Sequence, residues 1–417
     1  MTLNAANDNQ SADDRLRERA KAVIPAGMWG HMRASAVPPG YPQFFEGGDG
    51  ARVRDVNGRE YIDFMCSWGP IVLGHRHPEV ERAARAQLEA GDCLNGPTEH
   101  AVRLAERLVS MVPHADWALF QKNGSDAMTT CVTLARAGTG RRKILIAKGA
   151  YHGAVPWCSP SLVGVTAEDR AHLRHFHFND IESLDAAVAE AGDDLAGIVV
   201  SAFRHDLAIP QELPDPAFAR AARAHCDRLD AALILDDVRA GFRLNLRGSW
   251  EEVGVQPDLA GYSKAIANGY PLAAVTGTDR FRAAGEQVFV TGSFWYGGAS
   301  MAAAVTVLEV LEREDGPARM KAAGERFAAG LIESAARNGF DVTLSGPPVM
   351  PLMTFADDPD ASQGEALCQQ ALARGVYLHN KHNMFLSLAH TDAEIDTALS
   401  AIDDAFIALA KQRTVSA

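Results

Sequence analysis

The sequence predicts an α/β protein whose larger domain is built on a mainly parallel sheet. From about residue 97, short apolar strands alternate with helical patterns, which is typical of repeated β-α-β units. One of these strands, "LILDD", ends in two carboxylates, at the position where ligand groups stand in open α/β sheets. Both chain ends lack this alternation, so we expect a smaller α+β domain assembled from the two termini.

The elements of the larger domain follow in order along the chain. "TEHAVRLAERLVSMV" has apolar residues at three- and four-residue spacing, which predicts a helix. "WALF" is a short strand, and "SDAMTTCVTLARAGTG" is a helix with Ser125 as its N-cap. The strands "KILIAK", "AGIVVSAF" and "AALILDD" come next, with a helix over "DPAFARAARAHCDRLD" before the last of them.

The chain ends predict other elements. "ARVRDVNGREYIDFM" is typical of a hairpin that turns at Asn57-Gly58. "PARMKAAGERFAAGLIESAARNGF" and "DAEIDTALSAIDDAFIALAKQ" predict helices, with short strands such as "VMPLMTF" between them. We therefore predict a flexible tail over residues 1–20 and the first part of the smaller domain over 21–95. The larger domain covers 96–315, and the rest of the smaller domain covers 316–417.

The composition of the chain indicates which kinds of binding partner are to be expected. The chain has 417 residues, with 40 Lys and Arg against 53 Asp and Glu, a net charge of −13. This balance argues against nucleic acid or an anionic membrane surface and favours small-molecule chemistry. No apolar run approaches the roughly 18 residues of a membrane span, and the polar N-terminus is not a secretory signal. Six scattered cysteines without a C-x-x-C pair predict reduced thiols in the cytoplasm.

Several common motifs are absent or incomplete. No Lys follows a Gly, which excludes a Walker A loop, and there is no G-x-S-x-G or H-E-x-x-H. The G-x-G at Gly138–Gly140 precedes a strand and lacks a third glycine. His75 and His77 have no acidic or cysteine companion at ligand spacing, so a turn before a helix is the better interpretation and no metal is expected.

The stretch "GYSKAIANGYPL" isolates one lysine, Lys264, among small and neutral residues. A lysine amine with a lowered pKa attacks carbonyl groups and forms Schiff bases. Asp236 ends an apolar strand, and a buried carboxylate there needs a donor or a cation opposite it. A helix cap or a salt bridge to Arg239 would also explain this carboxylate.

Two further segments contribute groups that could bind a ligand together with Lys264 and Asp236. In "KNGSDAM", free backbone N–H groups and the hydroxyl of Ser125 offer a phosphate cradle, although a plain capping turn fits as well. In "GAYHGA", Tyr151 offers a ring for stacking, or is a partly buried residue of a tight turn. An aldehyde-binding lysine, a carboxylate, a phosphate cradle and a stacking ring are the set that pyridoxal 5′-phosphate (PLP) requires.

These motifs also resemble a known family. "SWGPIVLGHRHPEV", "GPTEHAVRLAE", "KNGSDA", "YHG", "LDDVRAGFR", "PDLAGYSKAIANGYPLAAV" and "FLSLAHTDAEI" occur in the order found in class III (fold type I) PLP-dependent aminotransferases. They match the branch that includes glutamate-1-semialdehyde 2,1-aminomutase. Bacterial aminotransferases of bulky amines, of the fumonisin type, are most similar in the combination of "KNGSDA", "GAYHGA", "FRHD", "DDVRAGFR", "TGSFW" and "HNMFLSLAHT". The resemblance covers about residues 24–406.

The resemblance implies a fold and a set of roles. It implies a mainly parallel seven-stranded sheet flanked by helices and a homodimer with shared active sites. Lys264 would carry the Schiff base with PLP, and Asp236 would hold the pyridine nitrogen. Val238 and Tyr151 would cover the two faces of the ring. The phosphate would be bound by Gly124 and Ser125.

The chain departs from the family pattern near the substrate. Ser201-Ala202 replaces the usual Glu-Pro, and Asp237 replaces a Glu. Trp68 is expected to line the substrate pocket. Arg204 is a candidate for the acceptor's carboxylate, with a surface or interface salt bridge as its alternative. Trp295 falls where a partner-subunit threonine normally contacts the phosphate, and it either lines the pocket or packs in an interface.

The expected reaction is transfer of the amino group of a primary amine, bulky or ω-positioned, to a keto acid such as pyruvate by a ping-pong Schiff-base mechanism. Two alternatives stay open at this stage. One is an aminomutase-like isomerase that needs no external acceptor, and the other is a PLP-binding module without catalysis.

Overall fold

The computed structural model describes residues 10–416. The helices are α1 Ala12–Val23, α2 Pro78–Ala90, α3 Glu99–Met111, α4 Gly124–Thr139, α5 Ile181–Ala191, α6 Pro216–Leu229, α7 Arg282–Gln287, α8 Gly298–Arg313, α9 Gly316–Arg337, α10 Ser362–Leu372 and α11 Asp392–Ser416. The strands are β1 Phe45–Asp49, β2 Arg52–Asp55, β3 Glu60–Asp63, β4 Trp117–Gln121, β5 Lys143–Ala147, β6 Leu173–Phe176, β7 Leu195–Ser201, β8 Ala232–Asp236, β9 Leu259–Tyr262, β10 Ala273–Gly277, β11 Val342–Ser345, β12 Leu352–Phe355 and β13 Val376–Tyr377.

The large sheet has seven strands in the order β4-β10-β9-β8-β7-β5-β6. Strand β10 is antiparallel to β4 and β9, and the other neighbouring pairs are parallel. The predicted mainly parallel sheet is therefore confirmed. Because β4, β5, β8 and β9 run in the same direction, the segments that follow them emerge at one edge, and this edge carries the site.

The smaller sheet joins the two ends of the chain. Its order is β1-β2-β3-β13, and Val376 of β13 pairs in parallel with Ile62 of β3. Strands β2 and β3 form the antiparallel hairpin that the sequence predicts, with Gly58 at φ +80° in its turn. A hydrophobic core separate from that of the large sheet lies between this sheet and the C-terminal helices; it includes Tyr61, Ile62, Phe327, Leu367 and Phe406.

The prediction of a flexible tail over residues 1–20 is wrong for its second half, which is helical. Residues 1–9 lie outside the described residues, but helix α1 begins at Ala12. Ser11 and Asp14 form a capping box at its start. The buried carboxylate of Asp13 accepts hydrogen bonds from the backbone N–H groups of Gln43 and Phe44, which ties α1 to the body of the protein.

Helix α2 also differs from the predicted domain division, which placed residues 21–95 in the smaller domain. It packs against α8, and its fully buried Val80 and Ala84 belong to the core of the large sheet. A Cβ on Gly298 of α8 would lie 2.9 Å from the side chain of Gln87, so a glycine is needed for this close approach. The change from one core to the other therefore comes before residue 95.

Candidate active site

A cavity of about 190 Å³ opens at the carboxyl edge of the large sheet. It is lined by Asn123, Gly124, Ser125, Tyr151, His152, Gly153, His205, Asp236, Val238, Arg239 and Lys264. All six residues predicted to bind the cofactor are in this set, although they come from four separate loops. Each loop follows a strand that points to the same edge, which is why distant segments converge.

Lys264 lies just beyond the end of β9, with its backbone in the left-handed region at φ +49°. Such a conformation is strained for a residue with a side chain and is frequent at functional sites. Burial, together with the nearby guanidinium of Arg239, lowers the pKa of the Lys264 amine to about 7, although Asp236 opposes the shift. Near neutral pH a large fraction of this amine is uncharged, which is the nucleophilic form.

Asp236 is buried at the end of β8 and is held from two sides. Its Oδ2 lies 2.7 Å from Nδ1 of His152, and its Oδ1 accepts a hydrogen bond of 3.1 Å from the Val238 N–H. The alternative of a salt bridge to Arg239 is wrong, because the ion-pair partner of this carboxylate is His152. This histidine belongs to the motif "GAYHGA", but the local pattern does not indicate its role.

The second carboxylate of the pair, Asp237, has a structural role. Its oxygens accept hydrogen bonds from the backbone N–H and the hydroxyl of Ser249. It is fully buried and does not line the cavity, and burial raises its pKa to about 6. The shorter Asp therefore binds the first residue of the helical turn at residues 249–253 and leaves Asp236 as the carboxylate at the site.

The first turn of α4 forms an anion cradle. The N-cap is Asn123, whose side chain accepts from the N–H of Asp126 at 3.0 Å, so the predicted N-cap at Ser125 is wrong. The hydroxyl of Ser125 points to the opposite loop and accepts from the Ala154 N–H at 3.1 Å. The first N–H groups of a helix have no intrahelical partner and carry the positive end of its dipole.

Two glycines keep this cradle compact. A Cβ on Gly153 would lie 2.5 Å from Oγ of Ser125, and a Cβ on Gly124 would lie 2.5 Å from Cγ1 of Val238. Either added atom would force the two walls apart. Tyr151, 46% exposed, lies at the mouth of the cavity, so that its ring can cover a planar ligand.

A second, larger cavity of about 400 Å³ lies next to Trp68. Its lining is mostly apolar and includes Met32, Val37, Pro38, Pro42, Phe45, Val53, Met65, Trp68 and Tyr377. The indole of Trp68 makes edge contacts with His31 and His382, at centroid distances of 4.8 and 4.9 Å. His382 in turn contacts Arg239 of the first cavity, so Trp68 of the larger cavity is linked to the first cavity through His382.

The backbone around Trp68 is strained. Cys66, Ser67 and Trp68 have φ values of +47°, +54° and +65°, and none of them is a glycine. The carboxylate of Asp63 holds the segment by accepting from the N–H groups of Met65 and Cys66 at 2.8 and 3.0 Å. Consecutive left-handed residues are costly, and such strain clusters at ligand sites.

Two predicted substrate residues lie elsewhere. Arg204 forms a salt bridge of 2.9 Å with Glu212 and donates to the carbonyl of Pro210, and it lines neither cavity. Its alternative interpretation, a salt bridge, is the one found; the neighbouring His205 lines the cavity instead. Trp295 folds back over Gly292 and also lines neither cavity of this single chain.

The chemistry of the donor set fits PLP. The cavity presents an amine for an aldehyde, a hydrogen-bonded carboxylate for a ring nitrogen, a helix N-terminus for a phosphate and an aromatic side chain for a ring face. Among residues 10–416, no group of three or more His, Cys, Asp or Glu side chains is arranged to hold a metal ion. The described part of the chain also contains no helix long and apolar enough to cross a membrane.

The fold and this site define a fold type I PLP-dependent transferase. More specifically, the chain belongs to the class III aminotransferases, because the family description "Aminotransferase class-III" matches residues 36–406. It is a transaminase, and PLP is its cofactor.

The relatives agree with this assignment. The chain is 46% identical over 404 residues to the aminopentol aminotransferase of Sphingopyxis macrogoltabida, covering 97% of this chain and 95% of the relative. It is 33% identical over 402 residues to the 3-aminobutyryl-CoA aminotransferase of Cloacimonas acidaminovorans, covering 95% and 97%. The solved PLP internal aldimine form of the Sphingopyxis sp. MTA144 FumI protein superposes with a TM-score of 0.95 at 46% identity, covering 96% of this chain and 97% of the other.

Proposed function

We propose that this transaminase moves the amino group of a primary amine with a bulky apolar chain to a keto acid such as pyruvate, and that Lys264 is its catalytic residue. The observation that carries the proposal is the position of the Lys264 amine in the same small cavity as the His152–Asp236 pair. Burial of this amine without a carboxylate ion pair favours its neutral, nucleophilic form.

Each lining residue then has a defined task. When bound, PLP supplies an aldehyde that condenses with amines and a pyridine ring that takes up electrons from the substrate carbon. Asp236, oriented by His152, offers its carboxylate to the ring nitrogen. Tyr151 and Val238 cover the two faces of the ring, and the first turn of α4 binds the phosphate. Once displaced by the substrate amine, Nζ of Lys264 would accept the proton from the substrate carbon and pass it to the former aldehyde carbon of the cofactor.

The second cavity supports a bulky amine as donor. Its volume of about 400 Å³ is twice that of the first, and its lining is mostly apolar. Burial of hydrocarbon in such a space stabilises a complex by about 25 cal/mol per Å². An amine whose chain passes Trp68 would gain this energy, which a small amine cannot. The printed name of the relative, aminopentol aminotransferase, agrees with such a donor.

We also propose a homodimer. The segment 289–296 exposes Phe289 and Phe294 at 92% and 69%, and Tyr296 is exposed beside them. Clustered exposed aromatic side chains mark protein interfaces. Trp295 lies in the same segment, so a partner subunit would cover it or receive it. Sedimentation should give a dimer, and a fully active monomer would contradict the proposal.

The test of the function is a panel of primary amines of increasing chain length, assayed with pyruvate for alanine formation. We expect kcat/KM to rise with apolar chain length and Lys264→Ala to abolish turnover. Omission of the keto acid separates the alternatives. A transaminase then converts at most one equivalent of amine per site, an aminomutase forms product in excess, and a non-catalytic module forms none with any acceptor.

A further inference from the structure

Arg239 lines the first cavity, and no carboxylate of residues 10–416 forms an ion pair with it. Its Nη1 donates to Nε2 of His382 at 2.9 Å and to Oδ1 of Asn383. Its Nε is buried without a partner, and no described residue accepts a hydrogen bond from Nη2. Asp236 attracts this guanidinium electrostatically but forms no ion pair with it. A ligand carboxylate on the unengaged nitrogens would supply the direct partner that a buried cation needs.

The two partners of Nη1 are neutral acceptors. Nδ1 of His382 lies 2.7 Å from the backbone carbonyl of Asn383, to which it must donate, so Nε2 is the nitrogen that accepts from Arg239. Burial and the adjacent guanidinium hold the pKa of His382 well below its usual range, which keeps this ring uncharged. His382 and Asn383 therefore fix the guanidinium in place without neutralising it.

The unused edge of Arg239, formed by Nε–H and Nη2–H, suits a planar anion. Two parallel donors on one edge of a guanidinium match the two oxygens of a carboxylate. Arg239 lines the same cavity as Lys264 and acts on its amine electrostatically, and its supporting residue His382 contacts Trp68. Arg239 is also separate from the phosphate cradle. The cradle at Ser125 lies at the N-terminus of α4, whereas the Arg239 guanidinium contacts the C-terminal segment at residues 382–383.

We propose that Arg239 binds the carboxylate of the keto acid acceptor through Nε–H and Nη2–H. This inference rests on the proposed transaminase function and names a subsite within it. It assigns to Arg239 the role that the sequence had predicted for Arg204, whose charge is already paired with Glu212. It also explains how one cavity serves two chemically different substrates: the amine places its chain beyond Trp68, and the keto acid places its carboxylate on Arg239.

The experiment compares pyruvate with acetaldehyde, which has the same methyl and carbonyl groups but no carboxylate. The holoenzyme is assayed with one amine and each acceptor, and the ratio of the two kcat/KM values is determined. For Arg239→Gln we expect this ratio to fall by about 10- to 100-fold, since a charged bidentate pair is lost. Arg239→Lys should retain part of the preference, because it keeps the charge but not the fork.

A matched control and a second variant make the test decisive. Arg204→Gln removes an arginine outside the cavity and should leave the ratio unchanged within about twofold. Asn383→Asp keeps the guanidinium but places a carboxylate at an existing contact, and it should lower the ratio in the same way as Arg239→Gln. This variant also answers the question if Arg239→Gln does not fold.

The affinity of the apoenzyme for PLP, measured by fluorescence titration, shows whether Arg239 binds the cofactor instead of the acceptor. If Arg239→Gln weakens PLP binding while the pyruvate-to-acetaldehyde ratio stays at the wild-type value, the anion belongs to the cofactor and the proposal is overturned. An unchanged ratio together with unchanged PLP affinity overturns it as well. If the wild type transfers no amino group to either acceptor, it is the proposed function that fails.

Discussion

Nδ1 of His152 lies 2.7 Å from Oδ2 of Asp236, and this hydrogen bond joins the loop after β5 to the end of β8, 84 residues further along the chain. The ring of the histidine lies parallel to that of Trp157, at a centroid distance of 6.4 Å. Asp236 thus receives two donors, the imidazole and the Val238 N–H, and both act on the buried carboxylate. Its orientation depends on its neighbours rather than on its own rotamer preference.

This pair leads to the first prediction. Replacing His152 by Ala removes a hydrogen bond to a charged group, which contributes about 1.5–3 kcal/mol. We expect the affinity for PLP to fall by about 10- to 100-fold, measured by titration of the apoenzyme. His152→Asn can still donate an N–H towards Oδ2 and should recover part of the loss. Equal affinities for His152→Ala and the wild type would show that Asp236 is oriented without the histidine.

The second prediction concerns the pH dependence of the apoenzyme. The pKa of Lys264 is about 7 in the folded chain against an ordinary value of 10.5, so the unfolded state binds more protons between these values. Stability must therefore rise with pH across about pH 7 to 10.5 through this group. The free energy of unfolding of the wild type, minus that of Lys264→Met, should increase over this window in denaturant titrations. Two parallel pH profiles would contradict the lowered pKa.

The third prediction concerns the ring of Tyr151. An aromatic contact contributes about 0.5–1.5 kcal/mol beyond area burial. Tyr151→Ala should therefore weaken PLP binding by about 2- to 10-fold, whereas Tyr151→Phe keeps the ring and should bind within about twofold of the wild type. Equilibrium dialysis of the cofactor measures both variants. Should Tyr151→Phe lose as much affinity as Tyr151→Ala, the hydroxyl rather than the ring would be the contributing group.

The sequence predicted the parts of the site that local pattern encodes. Lys264, Asp236 and Tyr151 each stand directly after or at the end of an apolar strand, and a parallel sheet necessarily brings such positions to one edge. Short motifs with glycine and a reactive side chain were therefore sufficient to place them. The mainly parallel sheet and the hairpin at Gly58 were predictable for the same reason.

The features of the fold and the site that the sequence did not predict depend on contacts between distant segments or on buried polar groups. Nothing in "DDVRAGF" indicates that Arg239 meets His382 and Asn383, which lie more than 140 residues further along. The pairing of Arg204 with Glu212 depends on the path of an irregular loop, which the sequence pattern does not define. Helix α1 was missed because its stability comes from buried contacts of Asp13 and from a capping box at Ser11 in an otherwise polar segment.

The fourth prediction tests the compact cradle at Ser125. A Cβ on Gly153 would meet Oγ of Ser125 at 2.5 Å and its Cα at 2.9 Å, and the glycine has φ +128°. Gly153→Ala must therefore either move the loop or displace Ser125, and we expect PLP to bind at least about tenfold more weakly in apoenzyme titrations.

Gly164 supplies the control for backbone strain, since it has φ +77° but nothing within 4 Å of an added Cβ. Gly164→Ala carries the penalty of a left-handed alanine, about 1 kcal/mol, without touching the cradle. It should lower the unfolding free energy by about that amount and leave PLP affinity unchanged. If both alanine variants bind PLP as tightly as the wild type, the Gly153–Ser125 contact does not shape the phosphate site; if both bind equally weakly, the effect is one of stability alone.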